Sequence, residues 1–205
     1  MDVEKEALDT FIRLNALIRD SHIVYTSGRH GKAYVNKDAV YPHTKEISRL
    51  CLFIAQEFKD KNVEIVLAPA LGGIILTQWV AFHLSELTGR EVLAVYAEKV
   101  QDGSFVIKRG YDKLIKDKRV LILEDIVNTG GSVEKVFEMA KAMAREVVGV
   151  ACLCNRSGQS KGMIDGIELY SLFSLNLESW AAVDCPMCKS QIPIEKSVGK
   201  GNKKS

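Results

Sequence analysis

The chain has 205 residues, of which 47% are hydrophobic and 26% charged, and a formal net charge of +2. This length suits one domain with a sizeable core, and the composition is ordinary for a soluble globular protein. The nearly balanced charge gives no reason to expect nucleic acid or a membrane as a partner. The apolar runs are too short to span a membrane, and the acidic N-terminus does not suit a signal peptide. We therefore expect a cytoplasmic protein.

The N-terminal part predicts a helix, a hairpin and a second helix. Apolar residues between positions 3 and 19 fall on one face of an amphipathic helix. Residues 22–27 and 33–36 have the composition of two short strands around a turn at 28–31, which predicts a hairpin. Residues 44–59 repeat the helical pattern.

From residue 63 onward, predicted strands and helices alternate. The strands are at 63–68, 92–97, 104–108, 119–124, 146–153 and 167–173, and the helices are at 73–87 and 132–144. This alternation is typical of an α/β protein with a doubly wound parallel sheet and helices on both faces.

Two loops in this region carry candidate functional residues. Gly72 and Gly73 precede a helix, so backbone N–H groups there can face an anion, although double glycines at helix starts are common. In segment 97–110, a turn at 101–103 joins two strands and is flanked by cations that include Lys99 and Arg109. This segment is either a solvated surface hairpin or a loop that closes over a ligand.

Residues 120–132 are the most informative stretch. Four apolar residues predict a strand buried on both faces, and Glu124 and Asp125 follow it. The glycines at 130 and 131 and the start of the next helix suit a phosphate monoester. Two carboxylates suit the vicinal hydroxyls of a ribose. The pattern therefore predicts a ribose 5-phosphate site. The alternative is an ordinary strand-to-helix turn with an acidic pair at the helix N-terminus.

This segment resembles the phosphoribosyl pyrophosphate signature of the type I phosphoribosyltransferases. The resemblance implies a phosphoribosyl pyrophosphate site formed by Glu124, Asp125, Ile126, Val127, Asn128, Thr129, Gly130, Gly131, Ser132, Gly72, Gly73, Lys99 and Arg109. Within that set it implies catalytic roles for Lys99 and Asp125. It also implies Mg²⁺ held mainly by substrate oxygens and water, no metal bound by protein side chains alone, and a homodimer.

The segment at 26–36 resembles the N-terminal base-binding hood of the orotate phosphoribosyltransferases. We therefore expect Tyr34 to lie over a pyrimidine and Asn128 to contact it. Arg156 follows the strand at 146–153, where its guanidinium can pair with a planar carboxylate such as that of orotate. Taken alone, Tyr34 could be a packing residue and Arg156 a surface residue.

The resemblance covers nearly the whole chain and implies transfer of a phosphoribosyl group to orotate. The alternatives are a phosphoribosyltransferase for another nucleobase, such as a purine, and a regulator that only senses phosphoribosyl pyrophosphate. We predict a single domain, 1–205, with an N-terminal helix and hood at 1–42, a core at 43–180 and a cysteine-containing C-terminal segment at 181–205.

Five cysteines form no even disulfide framework, and a cytosolic chain would keep them reduced. Cys185 and Cys188 have the spacing of half a zinc site. Because there is no second cysteine pair with this spacing, the sequence favours a reduced, structural and metal-free pair. The basic tail after Ile194 is expected to be disordered.

Overall fold

The structure, a computed structural model, describes residues 2–25, 27–158, 163–196 and 198. Its helices are α1 (Val3–Arg13), α2 (Thr44–Phe58), α3 (Gly72–Thr88), α4 (Tyr111–Ile115), α5 (Gly131–Lys141) and α6 (Pro186–Lys189). Its strands are β1 (Leu17–Ile18), β2 (Ile23–Val24), β3 (His30–Gly31), β4 (Tyr34–Val35), β5 (Ile65–Pro69), β6 (Leu93–Lys99), β7 (Phe105–Val106), β8 (Arg119–Val127), β9 (Glu146–Asn155), β10 (Met163–Ile164), β11 (Ile167–Ser174) and β12 (Ser179–Trp180).

These elements form two compact units. The core unit comprises Met1–Ala7 and Thr44–Leu175, and the hood unit comprises Leu8–His43 and Asn176–Ser205. The single-domain organisation stays a prediction. None of the described helices is long and apolar enough to cross a membrane. Most of the basic tail, from residue 199 to 205, lies outside the described residues.

The core unit contains a seven-stranded sheet in the order β10-β11-β9-β8-β5-β6-β7. Its five central strands are parallel, and the short strands β7 and β10 are antiparallel at the two edges. All five residues of β5 and residues 120–123 of β8 are buried. Strands covered on both faces need continuous apolar runs, which is why their sequences lack alternation. The predicted α/β fold with a parallel sheet is confirmed.

One strand boundary of the core unit differs from its prediction in a way that affects the site. Strand β8 was expected to end at Glu124, but it continues to Val127. Its ladder with β9 runs on through Ile126 opposite Cys154 and Val127 opposite Asn155. The acidic pair therefore lies within the strand, because pairing with the neighbouring strand overrides the local polar sequence. Helix α4 and strand β10 were not predicted.

The predicted helix over residues 3–19 is wrong beyond Arg13. Asn15 has a φ of +52°, and the amides of Asn15 and Ala16 donate to the carbonyls of Ile12 and Phe11. This is the Schellman arrangement that ends helices, and asparagine tolerates its left-handed residue. The chain then extends as β1, which pairs with β4.

The predicted hairpin between 22–27 and 33–36 is wrong in its second strand. Strand β2 pairs with β3, with Val24 opposite His30, and β12 adds to the other edge of β3. Gly31 leaves room for the ring of Tyr25, since a Cβ at this position would lie 2.2 Å from the hydroxyl oxygen of that tyrosine.

Candidate active site

The carboxyl ends of β5 and β8 lie side by side in the middle of the core-unit sheet. The two strands are parallel neighbours, with Leu67 opposite Ile122. The chain passes from β5 to β6 on one side and from β8 to β9 on the other. Ligands of doubly wound sheets bind where the strand order reverses in this way. The two glycine loops found in the sequence follow these two strands.

A pocket with about 290 Å³ of empty volume lies at the end of β8, lined by Glu124 and residues 126–133. The chain turns at Gly130, whose φ of +85° is unstrained only without a side chain, and α5 begins at Gly131. The first N–H groups of a helix lack partners within it, and this end carries the positive pole of its dipole. The pocket therefore combines phosphate-binding geometry with a carboxylate.

The two carboxylates of the signature lie in different environments. Glu124 is half-buried and lines the pocket. Asp125 is 8% exposed, and its Oδ1 accepts a 2.6 Å hydrogen bond from the amide of Ile126. Successive residues of a strand point to opposite faces, so the pair spans both sides of the strand end. Glu124 is the one that faces the pocket directly.

The loop after β5 brings α3 close to the sheet. Leu71 is 83% exposed, and the helix begins at Gly72. A Cβ on Gly73 would lie 2.3 Å from that of Ala68. Gly73 therefore permits close packing of the helix start on β5, in addition to any contact with an anion. This packing sets the first turn of α3 next to the pocket-bearing strand.

The loop between β6 and β7 is a hairpin held by polar contacts. Lys99 is exposed at the end of β6. Glu98 accepts hydrogen bonds from Arg109 Nε at 3.0 Å and Lys108 Nζ at 3.3 Å. The bond from Arg109, followed by that from Lys108, lowers the pKa of Glu98. Arg109 is thus engaged with a carboxylate in this structure, whereas Lys99 projects into solvent.

Arg156 lies beside the signature. Its amide donates a 2.7 Å hydrogen bond to the carbonyl of Val127, the last residue of β8. The preceding residue, Asn155, is 1% exposed and accepts a hydrogen bond from the amide of Ser157 through its side chain. These bonds fix the start of the loop that carries Arg156 next to the pocket.

The family model described as "Phosphoribosyl transferase domain" matches residues 37–187. This chain belongs to the phosphoribosyl transferase family. It is 34% identical over 197 residues to the orotate phosphoribosyltransferase of Chlorobium phaeobacteroides, an alignment that covers 95% of each protein. It is also 35% identical over 195 residues to that of Caldicellulosiruptor bescii, covering 92% of this chain and 95% of the relative.

Solved structures of orotate phosphoribosyltransferases share the fold of this phosphoribosyl transferase. The Mycobacterium tuberculosis protein in complex with Fe(III) dicitrate superposes with a TM-score of 0.67 at 20% identity, covering 85% of this chain and 97% of that one. The Aeropyrum pernix protein gives a TM-score of 0.62 at 19% identity, covering 82% and 92%.

The structure places most of the predicted phosphoribosyl transferase site in the core unit. Glu124, with residues 126–132, lines one pocket, and Gly72, Lys99 and Arg156 follow or end neighbouring strands of the same sheet. Tyr34 belongs to the hood unit, where it is half-buried in β4. Its predicted contact with a base stays a prediction.

Two features escaped the sequence analysis. Lys135 in α5 donates a 2.8 Å hydrogen bond to the carbonyl of Gly103, which ties the β6–β7 hairpin to the pocket helix. In the hood unit, His22 and His30 lie beside Cys185 and Cys188. Two histidines remote in sequence carry no local spacing signal, so the absence of a second cysteine pair could not reveal them. The metal-free state of the cysteine pair stays a prediction.

Proposed function

We propose that this chain is an orotate phosphoribosyltransferase. It would transfer the phosphoribosyl group of phosphoribosyl pyrophosphate to orotate and release orotidine 5′-phosphate and pyrophosphate, a step of pyrimidine synthesis. The observation that carries the proposal is the pocket formed by Glu124 and residues 126–133. The proposal is also supported by orotate phosphoribosyltransferases that align over more than nine-tenths of the chain.

In the proposed reaction, a nitrogen of the pyrimidine loses its proton to solvent and attacks the anomeric carbon. The bond from that carbon to pyrophosphate breaks, and pyrophosphate leaves with the bonding electrons. Residues 128–132 would hold the 5-phosphate, and Glu124 and Asp125 the ribose hydroxyls. Gly72 and Gly73 would meet the pyrophosphate, with Lys99 stabilising its developing charge. The contribution of the protein is then chiefly positioning and charge stabilisation.

Arg109 would act on the pyrophosphate leaving group, and Arg156 would act on the orotate. Arg109 could reach the pyrophosphate only by leaving Glu98, to which it is bonded in this structure. Arg156 would pair with the orotate carboxylate, while Asn128 would contact the pyrimidine. A planar guanidinium suits a carboxylate because it can form two parallel hydrogen bonds.

Magnesium fits the donor chemistry of this pocket. Glu124 offers hard carboxylate oxygens there, and among the described residues no cluster of three or more His, Cys, Asp or Glu ligands surrounds it. Mg²⁺ keeps several waters and commonly binds through one or two carboxylates and substrate phosphates. When bound, it would neutralise charge on the pyrophosphate.

We also propose a homodimer, supported by the exposed face of α3. Ile75 and Phe82 are 38% and 52% exposed, and Trp79 lies between them at helical spacing. Large apolar side chains grouped on one face of a helix indicate an interface with another surface. The cytoplasmic location stays a prediction.

The proposed activity is tested by measuring pyrophosphate release with phosphoribosyl pyrophosphate, Mg²⁺ and a panel of bases. We expect turnover with orotate and little with uracil, adenine or hypoxanthine. Turnover with a purine alone would identify another acceptor. Binding of phosphoribosyl pyrophosphate without turnover of any base would favour the sensor.

A further inference from the structure

The hood unit brings together four side chains that commonly ligate zinc and that the proposed reaction does not use. They are His22, His30, Cys185 and Cys188, and their ligand atoms all lie within 4.8 Å of one another. Both histidines and Cys185 are buried, whereas Cys188 is exposed. Two cysteines and two histidines form one of the usual ligand sets of structural zinc sites.

The distances between these atoms are close to those around a tetrahedral zinc ion. Zn–N bonds of about 2.0–2.1 Å and Zn–S bonds of about 2.3 Å place nitrogen and sulfur roughly 3.6 Å apart at tetrahedral angles. The Sγ atoms of Cys185 and Cys188 each lie 3.6 Å from His22 Nε2. Cys188 Sγ lies 3.4 Å from His30 Nδ1.

The two histidine nitrogens are closer together than an ion would leave them. His22 Nε2 and His30 Nδ1 are 2.7 Å apart, whereas a shared zinc ion would separate them by about 3.3 Å. The two rings would therefore have to move apart slightly when the ion binds.

A backbone hydrogen bond sets the tautomer of His22 for metal binding. Its Nδ1 lies 2.7 Å from the carbonyl oxygen of Ile192. Because a carbonyl oxygen can only accept, Nδ1 carries the proton. The lone pair of the neutral ring is then on Nε2, the atom nearest the two thiols. Such a bond from the second ring nitrogen usually accompanies a zinc-bound histidine.

The four ligands come from two segments that are far apart in the chain. His22 directly precedes β2 and His30 lies in β3, while Cys185 directly precedes α6 and Cys188 lies within it. The strands β2, β3 and β12 have only two residues each, so few ladder hydrogen bonds hold the segments together. Small units with little core commonly depend on a metal or a disulfide.

We propose that His22, His30, Cys185 and Cys188 bind one structural Zn²⁺, which joins the β2–β3 hairpin to the C-terminal segment. All four coordination positions are filled by protein ligands, so the ion has no open position for catalysis. The Cys-Pro-Met-Cys sequence supplies two of the four ligands, and the two histidines supply the other two. The site goes beyond the proposed transferase activity and does not depend on it.

Metal analysis of matched variants tests the site. Protein purified without chelators should contain about one zinc per chain by mass spectrometry of the metal. Cys185→Ser and His22→Ala should each lose it. Cys51→Ala and His43→Ala should keep it, because Cys51 is buried in α2 and His43 is exposed outside the cluster. Cys188→His replaces one ligand by another and should retain zinc, whereas Cys188→Ser should not.

The wild-type protein gives a second readout that does not depend on the folding of any variant. Exchange with Co²⁺ should produce the intense visible bands of tetrahedral cobalt with thiolate ligands. A zinc chelator should lower the thermal midpoint, because metal binding to a folded site stabilises it. The proposal is overturned if wild-type protein, reduced and reconstituted with zinc, holds far less than one ion per chain. Iron in place of zinc, or zinc retained in both Cys185→Ser and His22→Ala, would also overturn it.

Discussion

At the residue scale, a backbone hydrogen bond holds the carboxylate of Asp125. Its side chain accepts a hydrogen bond from the amide of Ile126 and is almost fully buried. A charged acceptor paired with a backbone donor is stronger than a neutral pair. This bond holds the Asp125 carboxylate in one orientation at the end of the strand.

Replacing Asp125 by Asn should raise the KM for phosphoribosyl pyrophosphate and lower kcat. A hydrogen bond to a charged group is worth roughly 1.5–3 kcal/mol, so kcat/KM should fall by about tenfold to a hundredfold. Steady-state kinetics measure this, with Asp165→Asn as a control at an exposed carboxylate that binds Lys141. Unchanged kinetics in a folded Asp125→Asn protein would show that the acidic pair has only a structural role at the end of the strand.

Arg156 allows a test of base recognition that separates the two substrates. Arg156→Ala should weaken orotate far more than phosphoribosyl pyrophosphate, because only orotate would lose its cationic partner. Leaving a buried carboxylate unpaired costs about 2–5 kcal/mol. Titration of both ligands by calorimetry measures the difference. Arg145→Ala is the control, since that arginine pairs with Glu64. An equal loss for both ligands would contradict the assignment of Arg156 to the base.

At the scale of elements, the site depends on how closely α3 approaches β5. Gly73 at the start of α3 lies against Ala68 of β5, so the glycine pair that opens α3 is held next to the end of this strand. The hairpin between β6 and β7 is in turn tied to α5 through Lys135 and Gly103. The start of α3 and the β6–β7 hairpin are therefore each held by a contact with a neighbouring element.

Gly73→Ala should destabilise the protein, because its Cβ would lie 2.3 Å from that of Ala68. Overpacking of this kind costs about 1–3 kcal/mol. Chemical denaturation measures the loss. The double variant Gly73→Ala with Ala68→Gly should recover part of it, since the colliding atom is removed. Additive effects of the two substitutions would contradict the proposed contact.

At the scale of the whole core unit, a cluster of charged groups around Glu64 and the pocket of the predicted site lie at opposite ends of the parallel strands. Glu64, just before β5, accepts hydrogen bonds from Lys118 Nζ at 2.9 Å, from the amide of Arg119 and from Arg145. The bond from Lys118 is the main cause that lowers the pKa of Glu64. The pocket lies at the carboxyl ends of the same strands.

Glu64→Gln should therefore reduce stability without changing kcat. Because the folded pKa is lowered, the contribution of Glu64 is present above its ordinary pKa of about 4.3 and is lost as the pH falls below that value. The difference in unfolding free energy between wild type and variant should be constant near neutral pH and shrink in acid. Glu138→Gln on the exposed face of α5 is the control. A pH-independent difference would contradict this account.

The proposed dimer is tested on the exposed face of α3. Phe82→Glu places a charge within that apolar face and should shift the protein from dimer to monomer. Light scattering after size exclusion measures the mass. Leu114→Glu, at a similarly exposed apolar residue of α4, should leave the mass unchanged. A monomeric wild type would contradict the proposal.

The sequence alone determined the parts of this protein that are encoded by neighbouring residues. Continuous apolar runs predicted buried parallel strands, and the segment from Glu124 to Ser132 predicted a phosphate and ribose site. Both are local, because a strand, its turn and the following helix N-terminus are adjacent in the chain. The alternation of strands and helices predicted the α/β fold, and the resemblance of this segment to a known signature indicated the family. The roles of its individual residues stay predictions.

Only the tertiary structure decided which distant segments meet. Pairing with β9 carried β8 past its acidic pair, and β3 rather than β4 became the partner of β2. The same folding brought His22 and His30 to a cysteine pair more than 150 residues away. Local periodicity cannot predict these contacts, because they depend on packing and strand pairing between segments that are remote in sequence.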